Sequence, residues 1–283
     1  MAFENVGIVG CGLMGAGIAE VAIRSGFATT VREISPELVA KGRARVEKSL
    51  QTAVERGKLA AADRDAALSR LSFTTGVEAL ADCDLVVEAA TEDPELKKEL
   101  FVALDRSCKR AAILASNTSS IPIIELAAVT ARPERVIGLH FFNPVPVMKL
   151  VEVIRTIRTC DEVVAAARGF GESLGKRPIM AKDRAGFIVN VLLIPFLLDA
   201  VRLLEQGVAT REDIDTGMEL GCGHPMGPLE LLDFIGIDTT CSIAEILFDE
   251  LKEPRYAPPT LLKQMNIAGL HGKKSGRGFY DYA

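Results

Sequence analysis

The pattern of apolar and polar positions along the chain changes near residue 186. Before this point, short apolar runs rich in β-branched residues alternate with longer stretches at helical spacing, which is typical of a parallel sheet covered by helices. The predicted strands are Asn5–Val9, Thr29–Glu33, Leu85–Glu88, Ile113–Ala115, Val136–Phe142, Leu150–Ile154 and Pro178–Met180. Residues 1–185 are therefore predicted to form an α/β domain with a mostly parallel sheet.

A long segment from Pro36 to about Leu71 separates the second and third predicted strands. Its charged residues and alanines recur at helical spacing, and the segment is too long for a simple crossover connection. We expect a helical hairpin that projects from the sheet.

The chain after Gly186 has helical periodicity and little strand pattern. The amphipathic stretches are Phe187–Gln206, Arg211–Leu220 and Leu229–Leu251. Residues 186–283 are thus predicted to form an all-α domain. Because its apolar content is high for a unit of this size, we expect part of its surface to be covered in a homodimer.

Composition and charge limit the partners of this chain. It has 283 residues and a net charge of -5, so it lacks the basic excess that binds nucleic acid. The amino terminus does not have the pattern of a signal or transit peptide, and the longest apolar stretch, Phe187–Val201, is too short to span a bilayer. We expect a cytoplasmic protein with neither a nucleic-acid nor a membrane partner.

The cysteines and two of the three histidines do not have metal-ligand spacing. The cysteines are scattered along the chain at Cys11, Cys83, Cys108, Cys160, Cys222 and Cys241. His224 and His271 lie in turn-rich segments without a partner ligand nearby. We expect core thiols in a reducing compartment and no metal.

A glycine-rich turn follows the first predicted strand and opens a helical stretch. In the run Gly10-Cys11-Gly12-Leu13-Met14-Gly15, the first glycine permits a tight turn, Gly12 lets a pyrophosphate approach the backbone, and Gly15 lets helix and strand pack closely. The amides that start the helix, around Leu13 and Met14, can bind phosphate oxygens. The motif predicts a dinucleotide site, and a glycine turn without a ligand is the alternative.

An acidic residue ends the second predicted strand. Glu33 follows Gly15 by 18 residues, where a carboxylate can accept hydrogen bonds from the adenosine ribose and repel a 2′-phosphate. This favours NAD over NADP. The neighbouring Arg32 leaves the second possibility open, because a guanidinium can bind that phosphate.

One histidine stands at the carboxyl end of an apolar strand, where ligands bind in open α/β sheets. His140 and Glu152 are equidistant from the turn near Pro146, so antiparallel pairing would bring them face to face. Alcohol oxidation needs a base for the hydroxyl proton, and a carboxylate on the far nitrogen orients the imidazole. The alternative is a core histidine and a lone charge at a strand edge.

Five segments of the sequence resemble the 3-hydroxyacyl-CoA dehydrogenase family, in order and over essentially the whole chain. They are Ser116–Ser120, His140–Pro144, Lys149–Val153, Gly223–Pro228 and Lys274–Tyr280. The resemblance is closest to the short bacterial members. It implies a Rossmann-type domain followed by the all-α domain, and reversible NAD-dependent oxidation of an (S)-3-hydroxyacyl-CoA, such as 3-hydroxybutyryl-CoA, to the 3-ketoacyl-CoA.

The resemblance also assigns roles to individual residues. It implies that His140 is the catalytic acid/base, that Glu152 is its partner, and that Ser119 and Asn190 hold the substrate oxygen and the imidazole in line. Cofactor contacts are implied at Glu92, Lys97, Asn117 and Asn143, the last of which also supports the dyad. Contacts with CoA are implied at Ser119, Lys48, Arg56 and Lys58, while Thr52 stands where relatives often carry a lysine.

Several of these residues have simpler interpretations. Ser119 and Asn117 could cap the helical stretch near Pro122, Asn190 could face solvent, and Lys97 could be a solvated helix charge. At the level of function, the alternatives are a dehydrogenase of a free hydroxy or sugar acid and a non-catalytic dinucleotide-binding or structural protein.

Overall fold

A computed structural model describes residues 3–282. The described residues form two compact units, divided between residues 184 and 185, and each is described by itself.

The amino-terminal unit is built on an eight-stranded sheet. Its strands, in chain order β1 to β8, are Asn5–Val9, Ala28–Arg32, Leu71–Thr74, Leu85–Glu88, Ile113–Ser116, Val136–Phe141, Leu150–Arg155 and Arg177–Lys182. The spatial order is β3-β2-β1-β4-β5-β6-β7-β8, and every neighbouring pair is parallel except β6 and β7. The prediction of a mostly parallel sheet is confirmed. The strand order reverses between β1 and β4, the kind of switch point at which open α/β sheets bind ligands.

Helices cover this sheet, and two of them form the predicted hairpin. The helices α1 to α6 are Leu13–Arg24, Pro36–Glu55, Ala61–Leu68, Pro94–Ser107, Ile123–Ala128 and Asp161–Ser173. The hairpin consists of α2 and α3. Ser35 caps α2 by accepting a hydrogen bond from the Leu38 amide, and Pro36 occupies the first helical position, where its missing N–H costs nothing.

Two boundaries in this unit were predicted wrongly. The strand β3, Leu71–Thr74, which pairs with β2, is missing from the predicted strands. Four residues are too few to distinguish strand from helix by periodicity alone. The strand β2 ends at Arg32, one residue before Glu33.

The carboxyl-terminal unit is helical. Its helices α7 to α11 are Val189–Glu205, Arg211–Cys222, Pro228–Ile235, Ile237–Leu251 and Thr260–Ile267. The predicted helix over Leu229–Leu251 is in fact two helices, because Gly236 between them has a φ of 106° that cannot continue a helix. The helix α11 was not predicted.

The cysteines do not all lie in the core. Cys11, Cys83, Cys108 and Cys241 are buried and Cys160 is half-buried, but Cys222 is exposed as the last residue of α8. The expectation of six core thiols is therefore wrong for Cys222. None of the helices within residues 3–282 is long and apolar enough to cross a membrane.

Candidate active site

The glycine-rich turn joins β1 to α1, and its three glycines have different surroundings. A Cβ on Gly10, whose φ is 91°, would lie 2.7 Å from the Ala89 carbonyl oxygen, and one on Gly15 would lie 1.9 Å from the Gly10 carbonyl oxygen. A Cβ on Gly12 would meet nothing within 4 Å. The protein itself therefore requires Gly10 and Gly15, whereas the space at Gly12 is left for a ligand, as a bound pyrophosphate would need.

Glu33 turns back onto this loop. Its Oε1 accepts a hydrogen bond from the Cys11 amide, and its Oε2 accepts one from the Ile34 amide. The guanidinium of Arg32 instead donates to the Thr75 carbonyl at 3.2 Å. The carboxylate thus lies beside the turn that would hold a dinucleotide, while the adjacent cation is bonded elsewhere.

The thiol in the turn has no nucleophilic role at neutral pH. Burial, and then the nearby Glu33, raises the pKa of Cys11 to about 11. Its sulfur therefore stays protonated.

His140 and Glu152 form a buried hydrogen-bonded pair. The antiparallel register of β6 and β7 sets His140 opposite Glu152, and His140 Nδ1 lies 2.7 Å from Glu152 Oε2. Glu152 is fully buried and His140 is 4% exposed. The interpretation of Glu152 as a lone charge at a strand edge is wrong, because β8 covers the other side of β7.

The second ring nitrogen of His140 meets Ser119, in the loop after β5. Ser119 Oγ lies 3.0 Å from His140 Nε2. Ser119 is half-buried, so the line Glu152–His140–Ser119 runs from the core toward the surface. The ring of Phe142 packs on the imidazole with centroids 4.7 Å apart and further restricts its orientation.

Neither Ser119 nor Asn117 caps the following helix. The first amides of α5, Ile123 and Ile124, donate instead to the two carboxylate oxygens of Asp183. Asn117 Oδ1 accepts a hydrogen bond from the Phe141 amide, which ties the loop after β5 to the end of β6. The simpler interpretation of these two residues is therefore wrong.

Lys97 and the fully buried Glu88 form an ion pair next to that loop, and sequence reasoning missed Glu88. Lys97 Nζ lies 2.5 Å from Glu88 Oε1 and 3.3 Å from Glu92 Oε2. Lys97 is 1% exposed, so its interpretation as a solvated helix charge is wrong. Its contact with a cofactor stays a prediction. The only sequence signal for Glu88 was a charge at the end of an apolar strand.

Glu92 forms hydrogen bonds with the loop after β5 that carries Ser119, here called the Ser119 loop. Its Oε1 accepts hydrogen bonds from the Ser119 amide and the Ser120 hydroxyl, both at 2.9 Å, and from the Thr118 hydroxyl. Burial raises the pKa of Glu92, but Lys97 and these donors outweigh burial and leave the pKa below its ordinary value. Glu92 is therefore a carboxylate at neutral pH.

A cleft of about 610 Å³ opens between α1, α2 and the loop after β6. Apolar groups form much of its lining, including Leu13, Val145 and Pro146. The predicted basic residues Lys48, Arg56 and Lys58 also line the cleft. Thr52, which stands where relatives often carry a lysine, and Asn143 line it as well. The volume, the apolar lining and the basic residues suit a partly apolar molecule with an anionic group.

Asn190 lies in the first turn of α7, in the carboxyl-terminal unit. It is 9% exposed, so it does not face solvent as the simpler interpretation had it. Its catalytic role stays a prediction.

Comparison with known proteins agrees with this geometry. The model of the 3-hydroxyacyl-CoA dehydrogenase NAD binding domain matches residues 5–184, and the model of the same family's C-terminal domain matches residues 186–282. The chain belongs to the 3-hydroxyacyl-CoA dehydrogenase family. The family resemblance of the five sequence segments is thereby confirmed.

Individual members of the 3-hydroxyacyl-CoA dehydrogenase family align along the whole chain. A 3-hydroxybutyryl-CoA dehydrogenase of Mycobacterium tuberculosis is 52% identical over 283 residues, covering 99% of both chains. The crystal structure of M. tuberculosis FadB2 superposes with a TM-score of 0.99 at 52% identity, and that of (S)-3-hydroxybutyryl-CoA dehydrogenase PaaH1 from Ralstonia eutropha with 0.96 at 45%, each covering 100% of both chains. A Rossmann-type NAD-binding domain followed by a helical domain is the fold of this chain.

Proposed function

We propose that this protein catalyses the reversible NAD-dependent oxidation of a short (S)-3-hydroxyacyl-CoA, with 3-hydroxybutyryl-CoA as the substrate, to the 3-ketoacyl-CoA. The observation that carries the proposal is the line Glu152–His140–Ser119 at the carboxyl edge of a sheet whose first turn is built for a dinucleotide. The names of the M. tuberculosis and R. eutropha relatives support the choice of substrate.

His140 is the acid/base of this reaction. With Nδ1–H donating a hydrogen bond to Glu152, the neutral imidazole presents its Nε2 lone pair toward Ser119 and takes the proton of the 3-hydroxyl. The buried carboxylate then stabilises the imidazolium that forms. In the reducing direction, His140 returns the proton to the developing alkoxide. Ser119 orients the substrate oxygen, and Asn190 is proposed to assist it.

The remaining residues hold the two ligands. NAD, when bound, supplies the hydride acceptor. Its phosphates are assigned to the turn and helix start at Gly10, Gly12, Leu13, Met14 and Gly15, and its adenosine ribose to Glu33. Glu92 and Lys97 are assigned to contacts near the ribose and phosphates, Asn117 to the nicotinamide side, and Asn143 to a cofactor contact that also supports the dyad. The bonding of Arg32 to Thr75 supports NAD over NADP.

The acyl-CoA is assigned to the cleft between α1 and α2. Lys48, Arg56 and Lys58 line the cleft and offer cations to the CoA phosphates, and the apolar walls suit the pantetheine arm. The protein is proposed to act in the cytoplasm, where the six free thiols would stay reduced.

Turnover of a CoA thioester and of its free acid distinguishes this function from that of a free-acid dehydrogenase. NADH oxidation measured at 340 nm should be rapid with acetoacetyl-CoA and negligible with acetoacetate. In His140→Gln, kcat should fall about 1000-fold while NADH binding, followed by fluorescence, is retained. Equal rates on the free acid would contradict the substrate, and near-normal turnover of the variant would contradict the base.

A further inference from the structure

Glu88 is a fully buried carboxylate at the carboxyl end of β4, and the proposed chemistry makes no use of it. We propose that Glu88 is a positioning residue for proton transfer. It holds the loop after β5 that carries Ser119, and so keeps Ser119 in contact with His140. The inference rests on the proposed function, because it concerns the geometry of that same site.

Three hydrogen bonds satisfy the two oxygens of this carboxylate. Oε1 accepts from Lys97 Nζ at 2.5 Å and from the Ala90 amide at 2.7 Å, and Oε2 accepts from the Ser116 hydroxyl at 2.6 Å. A carboxylate removed from water is stable only when it is paired and hydrogen-bonded in this way. Glu88 is therefore held rigidly and can in turn hold its donors in place.

One path from Glu88 reaches the loop through Ser116. The Ser116 oxygen accepts a hydrogen bond from the Thr118 amide at 3.2 Å, which fixes the peptide between Asn117 and Thr118, one residue before Ser119. The backbone contributes as well, since the Asn117 amide donates to the Glu88 carbonyl at 2.8 Å. The start of the loop is thus attached to the end of β4 at two points.

The second connection between Glu88 and the loop consists of the ion pairs of Lys97. Lys97 is shared between Glu88 and Glu92, and Glu92 accepts from the Ser119 amide itself. If the charge of Glu88 were lost, Lys97 would be drawn toward Glu92, the other carboxylate with which it is paired. The carboxylate that holds the Ser119 amide would then shift.

The expected effect is on turnover more than on binding. Proton transfer depends steeply on the distance between the groups, and a displacement of about 1 Å can cost about 100-fold in rate. Glu88→Gln keeps the shape of the side chain and removes its charge. We expect kcat on acetoacetyl-CoA to fall about 10- to 100-fold, with little change in KM.

A double-mutant cycle separates positioning from a general loss of structure. If Glu88 acts through Ser119, Glu88→Gln should slow the wild type but have almost no further effect in a Ser119→Ala background. The inference would be overturned if the two substitutions lowered kcat by independent factors that multiply in the double variant. An unchanged kcat in Glu88→Gln would overturn it as well. Ser116→Ala is a milder second variant that removes one donor to Glu88, and it should be non-additive with Ser119→Ala in the same way.

Asp105→Asn is the matched control. It weakens another buried ion pair of the same unit, Asp105 with Arg132, at the far end of the α4 helix that carries Lys97. It should lower stability and leave kcat unchanged. A similar loss of kcat in Asp105→Asn would attribute the effect of Glu88→Gln to stability and overturn the inference.

A spectroscopic readout keeps this inference distinct from the proposed function. The chain has three histidines, so the ring ¹⁵N signals of His140 can be assigned by comparison with His140→Gln. They should move in the same direction in Glu88→Gln and Ser119→Ala and stay fixed in Asp105→Asn. Absence of wild-type turnover would refute the proposed function alone, whereas unmoved His140 signals in Glu88→Gln would refute the positioning role.

Discussion

At the scale of single residues, the glycine-rich turn separates what the fold requires from what a ligand requires. Gly10 and Gly15 are fixed by close contacts within the protein, but Gly12 has a φ of -64° that any residue can adopt and open space where its side chain would be. Folding and nucleotide binding therefore make separate demands on neighbouring positions.

Alanine substitutions should reveal this separation. Gly12→Ala should change the free energy of unfolding by no more than about 0.5 kcal/mol and weaken NADH binding at least ~10-fold. Gly15→Ala should cost about 3 kcal/mol, since its methyl group would overlap the Gly10 carbonyl. Urea unfolding measures the stability of each variant, and fluorescence titration measures its NADH binding. The distinction would be contradicted if both variants lost binding equally and neither lost stability.

Sequence reasoning reached some site residues and not others for a physical reason. His140 and Glu152 could be paired because one turn lies midway between them, so local register decides their contact. Glu88, Lys97 and Glu92 meet through the packing of α4 against the sheet, which no local spacing encodes. A buried carboxylate at the end of an apolar strand gives no indication of its partners until the helix is placed.

At the scale of elements, α4 is anchored at its carboxyl end by a buried ion pair. Arg132 Nε lies 2.6 Å from Asp105 Oδ1, and the Ala131 amide donates to Asp105 Oδ2. Burial raises the pKa of Asp105, but the Ala131 amide and Arg132 outweigh burial and leave it below the ordinary value. The pair therefore stabilises the fold only while the carboxyl is ionised.

The stability of Asp105→Asn should depend on pH accordingly. Because the folded-state pKa is depressed, the stabilisation is present above the unfolded value of about 3.9 and is lost as pH falls through the folded value. The variant should be less stable than wild type by about 3 kcal/mol at neutral pH, and the difference should shrink in acid. Urea unfolding of wild type and variant at neutral and at acidic pH measures this difference in stability, with Asp65→Asn at an exposed position as a control. A difference that does not change with pH would contradict the role of ionisation.

Element prediction succeeded where periodicity was long and failed where it was short. The strands of the central sheet and the hairpin of α2 and α3 have clear patterns and were predicted to within a few residues. The four-residue strand β3 and the short helix α11 have too few positions for a period to be recognised. The break at Gly236 was hidden because apolar residues continue at helical spacing on both sides of it.

At the scale of the whole molecule, the carboxyl-terminal unit exposes many large apolar side chains. Six of them are at least 43% exposed, namely Leu192, Leu203, Val208, Leu220, Phe234 and Ile267. Large apolar side chains exposed in this number are typical of a protein–protein interface. These residues support the prediction, made from the sequence, that two copies associate through this unit.

Charges introduced at these residues should prevent the predicted association of two copies. Sedimentation velocity of the wild type should give twice the protomer mass of 30.4 kDa, and Leu192→Glu combined with Leu220→Glu should shift it toward the monomer. Ile157→Glu, at a 94% exposed position of the other unit, should leave the mass unchanged. A monomeric wild type, or a variant that stays dimeric, would contradict an interface at these residues.

The antiparallel hairpin of β6 and β7 places both halves of the dyad within thirteen consecutive residues. The connecting loop lies outside the paired register and lines the cleft at Asn143, Pro144 and Val145. Insertions or substitutions in that loop can therefore remodel what the enzyme accepts without separating the imidazole from its carboxylate. Substrate range and proton chemistry are free to diverge at different speeds, although one short stretch of chain encodes both.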